Sequence, residues 1–395
     1  MQITKIESFF FLVIVLLLAF GCNGGGNGNV DAAQDPDLDP APEDLVSPDG
    51  DDPVDDAAEA PGEPADDPAG DMVDAEEGDA DDPGDDASDA VEIDPEIDPT
   101  LCSDGFPRGE GAMGLAEVAR FTPAPEGVTV CPGGEIFVSL FAAGEIWRLP
   151  VDGSDPVLYT TLEGRGPAGL ACDDEGRIFA ADFGREGGGP SGCVRIDHEG
   201  HEGLSLPNEV GGEAFTEPNG IAFVPGAGIY MSDSKRGLIA RFVEDAPDTY
   251  SVTLAASGAD LIGFLDGAFT GANGLAYRVE TRTLYCAVST LPRLQAYEVA
   301  PDGTLSGAPA TVYQNSAAGH ALDGSAVDEN GGLYVAKWLR GEVMRVSDEH
   351  VIAAFPNPAS LAWRGGTLFM TSYIVGAEAE GSLQSIDIGA CGGYP

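Results

Sequence analysis

The chain has 395 residues, and its 68 Asp+Glu against 18 Lys+Arg give a formal net charge of −50. That balance excludes sequence-general binding of nucleic acid, which needs a basic surface to neutralise phosphate, and disfavours electrostatic docking on anionic lipid. With 55 glycines and no long amphipathic pattern of Ala, Leu, Glu and Lys, the composition points away from a helical bundle and towards many turns.

At the N-terminus, Lys5 is followed by an apolar run from Phe9 to Phe20. Twelve residues are too few for a transmembrane helix of about twenty, so residues 1–21 read as a signal peptide. The run ends in Leu18-Ala19-Phe20-Gly21-Cys22, which resembles the bacterial lipobox and makes Cys22 the expected lipidated N-terminus. An ordinary secretory signal with a chance cysteine is the alternative. Either way the mature protein is expected outside the cytoplasm, where cysteines pair. The lipoprotein reading puts it in the bacterial cell envelope, anchored to a membrane and facing the periplasm or the exterior.

Residues 22–100 cannot build a core. Residues 31–100 hold 29 acids and no Lys or Arg, mixed with Pro and Ala. Low hydrophobicity with like charge leaves too little apolar burial to offset ordering entropy, so a disordered, self-repelling tether is expected. A flexible chain of this length spans roughly 50 Å. The remaining residues, 101–395, keep 38 acids and 17 bases, so the folded part is itself acidic.

Residues 101–395 repeat one phrase six times: a small or Gly-flanked apolar triplet, a turn, then a strand ending in a small residue. Glu126-Gly127-Val128 leads to Ile136-Phe137-Val138, Ala168-Gly169-Leu170 to Ile178-Phe179-Ala180, and Asn219-Gly220-Ile221 to Ile229-Tyr230-Met231. Asn273-Gly274-Leu275 then leads to Leu284-Tyr285-Cys286, Asp323-Gly324-Ser325 to Leu333-Tyr334-Val335, and Ser360-Leu361-Ala362 to Leu368-Phe369-Met370. Each phrase reads as a hairpin, and a third strand such as Glu145–Leu149 usually follows. About fifty residues per unit suits a four-stranded blade, so an all-β, six-bladed β-propeller is expected.

Equivalent positions in successive blades face one another around a propeller axis. The first positions of the phrases hold Glu126, Ala168, Asn219, Asn273, Asp323 and Ser360. Two carboxylates and two carboxamides aimed at one point make an oxygen-donor site for a hard divalent cation, Ca²⁺ above all. Thiolate and imidazole are missing from the set, which disfavours structural zinc. Two carboxylates about 4 Å apart repel by roughly 4 kcal/mol at an effective dielectric of 20, so such a site favours a bound cation.

The phrases Glu217-Pro218-Asn219-Gly220-Ile221-Ala222, Ala272-Asn273-Gly274-Leu275-Ala276 and Asp323-Gly324-Ser325-Ala326-Val327-Asp328, with Tyr334-Val335-Ala336-Lys337-Trp338, resemble the regucalcin/gluconolactonase/luciferin-regenerating-enzyme family, to whose structural group diisopropyl-fluorophosphatase belongs. The resemblance implies a central metal, commonly calcium, held by Glu126, Asn219, Asn273 and Asp323, with Asp323 also a candidate base or nucleophile. It implies hydrolysis of a lactone or related small ester. The second class of function is a tethered, non-catalytic binding propeller of the NHL type with a structural calcium. A small-molecule substrate, no nucleic acid, membrane contact through the lipid only, and a monomer complete the expectation.

Other polar residues have blander readings. Asp182, Asp233 and Asp328 suit turn or strand-end hydrogen bonds. His320 suits a solvated loop, with proton transfer at the mouth as the alternative, and Trp338 suits either the pocket or packing between blades. Loops 183–217 and 255–271 are the expected seat of specificity. Of the six cysteines other than Cys22, Cys102 and Cys391 bracket the domain and are expected to pair; Cys131 and Cys172, at equivalent turns of neighbouring blades, form the second expected pair.

Overall fold

A computed structural model describes residues 100–392 except 112–113, 185–189, 198, 200–201, 263–270 and 316–319. The signal peptide, Cys22 and nearly all of the tether lie outside the described residues. Each repeat forms a four-stranded antiparallel sheet, so the propeller expectation holds. Blade 1 comprises Val128–Val130, Ile136–Leu140, Glu145–Leu149 and Val157–Thr161; blade 2, Pro167–Cys172, Ile178–Asp182, Gly192–Ile196 and Glu202–Ser205. Blade 3 comprises Pro218–Val224, Gly228–Asp233, Leu238–Ala246 and Thr249–Ser257; blade 4, Ala272–Arg278, Thr283–Val288, Arg293–Val299 and Leu305–Gln314. Blade 5 comprises Leu322–Val327, Leu333–Lys337, Glu342–Arg345 and His350–Ala354.

Blade 6 closes the ring. Its strands Pro358–Arg364, Thr367–Ser372 and Gly381–Asp387 take Ala116–Phe121, from the start of the domain, as their outermost partner. Chain ends far apart in sequence therefore share one sheet, and the Cys102–Cys391 disulfide, with Cα atoms 5.5 Å apart, staples them. Cys131 and Cys172 also pair, at 5.3 Å. Both expected bridges are present; Cys193 and Cys286 are buried free thiols.

Local chemistry explains the hairpins. In blade 2 the Asp173 carboxylate accepts the Glu175 and Arg177 amides at 3.1 and 2.8 Å, while Gly176 takes φ +77°. Asp328 does the same in blade 5 for Asn330 and Gly332, beside Gly331 at φ +80°. Glycine tolerates this left-handed backbone, and the carboxylate satisfies amides the ladder leaves open. Asp328 is thus a turn residue, as its sequence context suggests.

The core lies between blades. Leu275 and Tyr277 of blade 4 pack with Ala222 of blade 3, Ile221 with Ala171 of blade 2, and Leu361 and Trp363 of blade 6 with Ala326 of blade 5. A large side chain thus meets an alanine at each of these junctions. Full burial of each such large side chain contributes about 1.5–3 kcal/mol, and a substitution at the alanine overpacks the junction.

Register corrects one sequence reading. Pro358 pairs with Ser372 and Leu361 with Met370, as Pro218 pairs with Asp233 and Ile221 with Met231. Ala359, and not Ser360, therefore occupies the first position of the sixth phrase, and Ser360 stands where the other five blades have glycine. The side-chain polarity of Ser360 suggested a frame that the strand pairing shifts by one residue.

Candidate metal centre

The innermost strands begin with an irregularity. In blades 2 to 6 the pairing slips between Pro167 and Leu170, Pro218 and Ile221, Ala272 and Leu275, Leu322 and Ser325, and Pro358 and Leu361. Such a bulge re-aims the side chain it carries. The re-aimed residues Ala168, Asn219, Asn273, Asp323 and Ala359 form a ring with Glu126, which stands just before the first strand of blade 1 with its amide on the Ser139 carbonyl at 2.9 Å. Neighbouring bulges touch: a Cβ on Gly220 would run into the Asn273 carbonyl, and one on Gly274 into that of Asp323. Glycine after the ring residue permits this approach.

Hydroxyls on the second strands lock the ring. Ser139 accepts the Gly127 amide at 2.8 Å and donates to the Ala168 carbonyl at 2.6 Å. Ser232 accepts the Gly220 amide at 2.8 Å and donates to the Asn273 carbonyl at 2.7 Å. Thr371 accepts the Ser360 amide at 2.9 Å and donates to the Glu126 carbonyl at 2.6 Å. In each case one blade fixes the ring residue of the next.

Glu126, Asn219 and Asn273 are buried and Asp323 is half-buried. Burial, then the charge of Asp323, pushes the Glu126 carboxyl well above the usual carboxylate range. Burial also raises the Asp323 carboxyl, against a hydrogen bond from Asn273 that favours its charged form. The Tyr373 phenol is raised by burial and then by the charges of both carboxylates. These mutual effects place Glu126, Asp323, Asn273 and Tyr373 together. Asn219 stands in the same ring, its carbonyl close beneath Gly169 of blade 2.

The donor set suits a hard cation. The Oε2 atom of Glu126 is buried without a hydrogen-bond partner, an arrangement that costs free energy unless something positive approaches. Ser289 donates its proton to the Leu322 carbonyl at 2.8 Å, so it accepts from Asn273 Nδ2 at 3.0 Å. This fixes the amide orientation and leaves Asn273 Oδ1 as an oxygen donor. Among the described residues no group of three or more His, Cys, Asp and Glu side chains could hold a metal; the candidate ring offers two carboxylates, and its other oxygens are amide oxygens.

The remaining polar residues do structural work. Asp182 accepts Arg165 Nη1 at 2.7 Å and the Gly166 and Gly184 amides. Asp233 accepts four backbone amides, those of Thr216, Glu217, Lys235 and Arg236. His320 is not solvated: it is 8% exposed, and Arg340 Nη2 lies 3.1 Å from its Nε2. Burial, then the charges of Arg340 and Lys337, push its pKa down. Trp338 is half-buried and donates Nε1–H to the Tyr373 carbonyl at 3.0 Å, joining blades 5 and 6.

Further down the axis the inner strands enclose a cavity of about 130 Å³ lined by Val128, Leu170, Ile221, Leu275, Ser325 and Leu361 among others. Phe106 and the two half-cystines Cys131 and Cys172 also contribute to its lining. None of Glu126, Asn219, Asn273 and Asp323 borders it, so it is separate from the candidate centre.

Residues 250–377, which run from the last strand of blade 3 through blades 4 and 5 into blade 6, match the family profile described as the SMP-30/gluconolactonase/LRE-like region. The resemblance read from the Asn219, Asn273 and Asp323 phrases is thereby supported, the last two falling within the match. Among solved structures, the chain is similar to a gluconolactonase from Xanthomonas campestris, at 19% identity and TM-score 0.52 over 69% of this chain and 89% of that one. A putative gluconolactonase follows at 16% and 0.54, over 73% and 99%. The calcium-binding protein regucalcin from Agrobacterium tumefaciens gives 15% and 0.50, over 71% and 96%. At such identities the likeness is one of fold. No curated protein sequence matches the chain.

Sequence reading missed one set of residues at this mouth: Phe141, Phe183, Ser234, Ser289 and Tyr373. Each directly follows the second strand of its blade, as Trp338 does. That common offset was the signal that could have found them.

Proposed function

We propose that the protein is a lactone or small-ester hydrolase whose centre is the ring of Glu126, Asn219, Asn273 and Asp323, holding a divalent cation, calcium by preference. The observation that carries this reading is the pair of buried, raised carboxyls from blades 1 and 5, one of them raised further by the charge of the other and left with an unpartnered buried oxygen. The SMP-30/gluconolactonase/LRE-like match and the fold shared with a gluconolactonase and a calcium-binding regucalcin support it. Lewis-acid polarisation of the substrate carbonyl is the chemistry a bound calcium supplies.

The chain's own residues do the rest. Asp323 is the general base, the carboxylate that takes the proton of the attacking water. Asn273, itself held by Ser289, orients the Asp323 carboxylate. Glu126 supplies the second negative charge of the centre. Tyr373 covers both carboxyls and keeps bulk water from them, which strengthens every local electrostatic interaction.

The proposal extends to location. Export, lipidation at Cys22 and a tether holding the propeller clear of a cell-envelope membrane rest on the Phe9–Phe20 run, Gly21-Cys22 and the acidic segment. Mass spectrometry of the mature protein should show diacylglycerol on Cys22, and Cys22→Ser protein should appear in the soluble fraction. An unmodified N-terminus elsewhere refutes the anchor.

The catalytic reading is tested with a panel of lactones, aryl esters and organophosphates assayed in calcium and in chelator. Calcium-dependent turnover is expected. Calcium binding without turnover of any member overturns the hydrolase and leaves the binding propeller.

A further inference from the structure

The residue after each second strand sits at the same place on the mouth in every blade. Blades 5, 6, 1 and 2, which are consecutive around the closed ring, carry Trp338, Tyr373, Phe141 and Phe183 there; blades 3 and 4 carry Ser234 and Ser289. The aromatic side chains form one continuous arc. Phe141 meets Phe183 with ring centroids 5.2 Å apart and Tyr373 at 6.3 Å, both edge to face, and Trp338 is joined to Tyr373 by its indole N–H. All four are half-buried, so each retains solvent-facing surface at the mouth.

Beneath the arc the ring alternates, with Asp323 and Glu126 from blades 5 and 1 and a small apolar residue from each of blades 6 and 2. Blades 6 and 2, which flank Glu126, supply Ala359 and Ala168 as their ring residues. Leu339 and Ile374, which follow Trp338 and Tyr373 in the chain, are exposed at 36% and 37%. Placing aromatic and aliphatic surface at the rim of a domain with an excess of 21 acids is unfavourable unless a ligand covers it. Among the described residues at these positions, the polar donors are already engaged. Ser234 donates to the Ala272 carbonyl at 2.7 Å, Ser289 to that of Leu322, and the Trp338 N–H to that of Tyr373. A polyhydroxylated ring entering here finds these donors engaged, and its own hydroxyls lose water without replacement.

From this juxtaposition we infer that the substrate is an apolar lactone or ester, carrying an alkyl chain or aryl ring that lies on the Tyr373–Phe141–Phe183 arc, and not a sugar lactone. Phe141, central in the arc, is the specificity-determining residue. The inference rests on the hydrolase reading for the reaction but not for the binding surface. Aromatic faces hold an alkyl or aryl group by area and by edge contacts, while the carbonyl end reaches down to Glu126 and Asp323, the ring residues of two of the blades that carry the arc.

The test compares the calcium-loaded wild type with Phe141→Ala and Phe141→Leu on three probes: unsubstituted δ-valerolactone, the same ring carrying a pentyl chain, and δ-gluconolactone. We expect kcat/KM highest on the pentyl lactone. Phe141→Ala should reduce kcat/KM on that probe roughly tenfold more than on the unsubstituted ring, on the scale of apolar pocket discrimination, and Phe141→Leu should recover part of the loss. Highest kcat/KM on gluconolactone, or equal effects of Phe141→Ala on both valerolactones, overturns the inference. Calorimetric titration with the pentyl-substituted δ-lactam, which resists hydrolysis, separates it from the hydrolase reading. If no lactone is turned over but the lactam binds and Phe141→Ala weakens it at least fivefold, the arc stands and the hydrolase falls. If the lactam does not bind, the arc falls. Thermal melting of both variants checks that they fold.

Discussion

Thr371 of the last blade donates its hydroxyl to the backbone carbonyl of Glu126 at 2.6 Å, across the seam where the ring closes and at a separation of 245 residues. The same oxygen accepts the Ser360 amide. A ring residue of the candidate centre is therefore held by the closing contact of the fold. Folding and assembly of the site become one event.

Thr371→Val keeps the shape and removes both bonds. Leaving a buried carbonyl and amide unsatisfied costs about 1–3 kcal/mol each, so the melting temperature should drop by several degrees in calorimetry. Calcium affinity should weaken as well, because Glu126 loses its anchor. Unchanged calcium binding in a destabilised variant would dissociate the seam from the site.

Asp323→Asn keeps the outline and one ligand oxygen but removes a charge and the base. Hydrolysis should fall by about 10²-fold or more, the usual contribution of a positioned base, while calcium affinity should fall by a smaller factor. Parallel losses measured by kinetics and by titration calorimetry would assign Asp323 to metal binding alone.

The raised carboxyls set the pH dependence of the metal-free protein. Both are acids whose folded pKa exceeds the unfolded value near 4. Between those values the folded state binds more protons than the unfolded one, so this contribution to stability falls as pH rises. The penalty is absent below about pH 4 and grows as pH climbs through the folded values. Calcium should cancel it, so the difference in melting temperature between calcium-loaded and chelator-treated protein should widen from pH 4 to pH 8. In Asp323→Asn the widening should be smaller. A constant difference across that range would contradict the coupling of Glu126 and Asp323.

Removing the staple with Cys102→Ser and Cys391→Ser together opens a loop whose ends are 289 residues apart in sequence. The chain-entropy relation assigns it about 5–6 kcal/mol, an upper figure since measured gains are often smaller. The double variant should unfold at lower denaturant concentration, with strand Ala116–Phe121 losing amide protection before the strands of blades 3 and 4. Uniform loss of protection in hydrogen exchange would argue that the outer strand closes the ring without the bridge.

Much of this architecture is local chemistry and is legible in the chain itself. Apolar runs punctuated by Gly, Asp and Asn specify hairpins, and six copies at about fifty residues specify blades, because each unit buries its faces only against a neighbour. The bracketing positions of Cys102 and Cys391 follow from the same closure. Register was decided only in three dimensions: Ala359 replaced Ser360 in the ring because strand pairing, and not side-chain polarity, sets the frame. The contact of His320 with Arg340 also depended on a turn from elsewhere in its blade. The aromatic arc is spread over 233 residues, from Phe141 near the start of the propeller through Trp338 to Tyr373 near its end, with wraparound from blade 6 to blade 1. Only closing the ring makes these rings neighbours, since contact between the first and last blades is a property of the circle and not of the line.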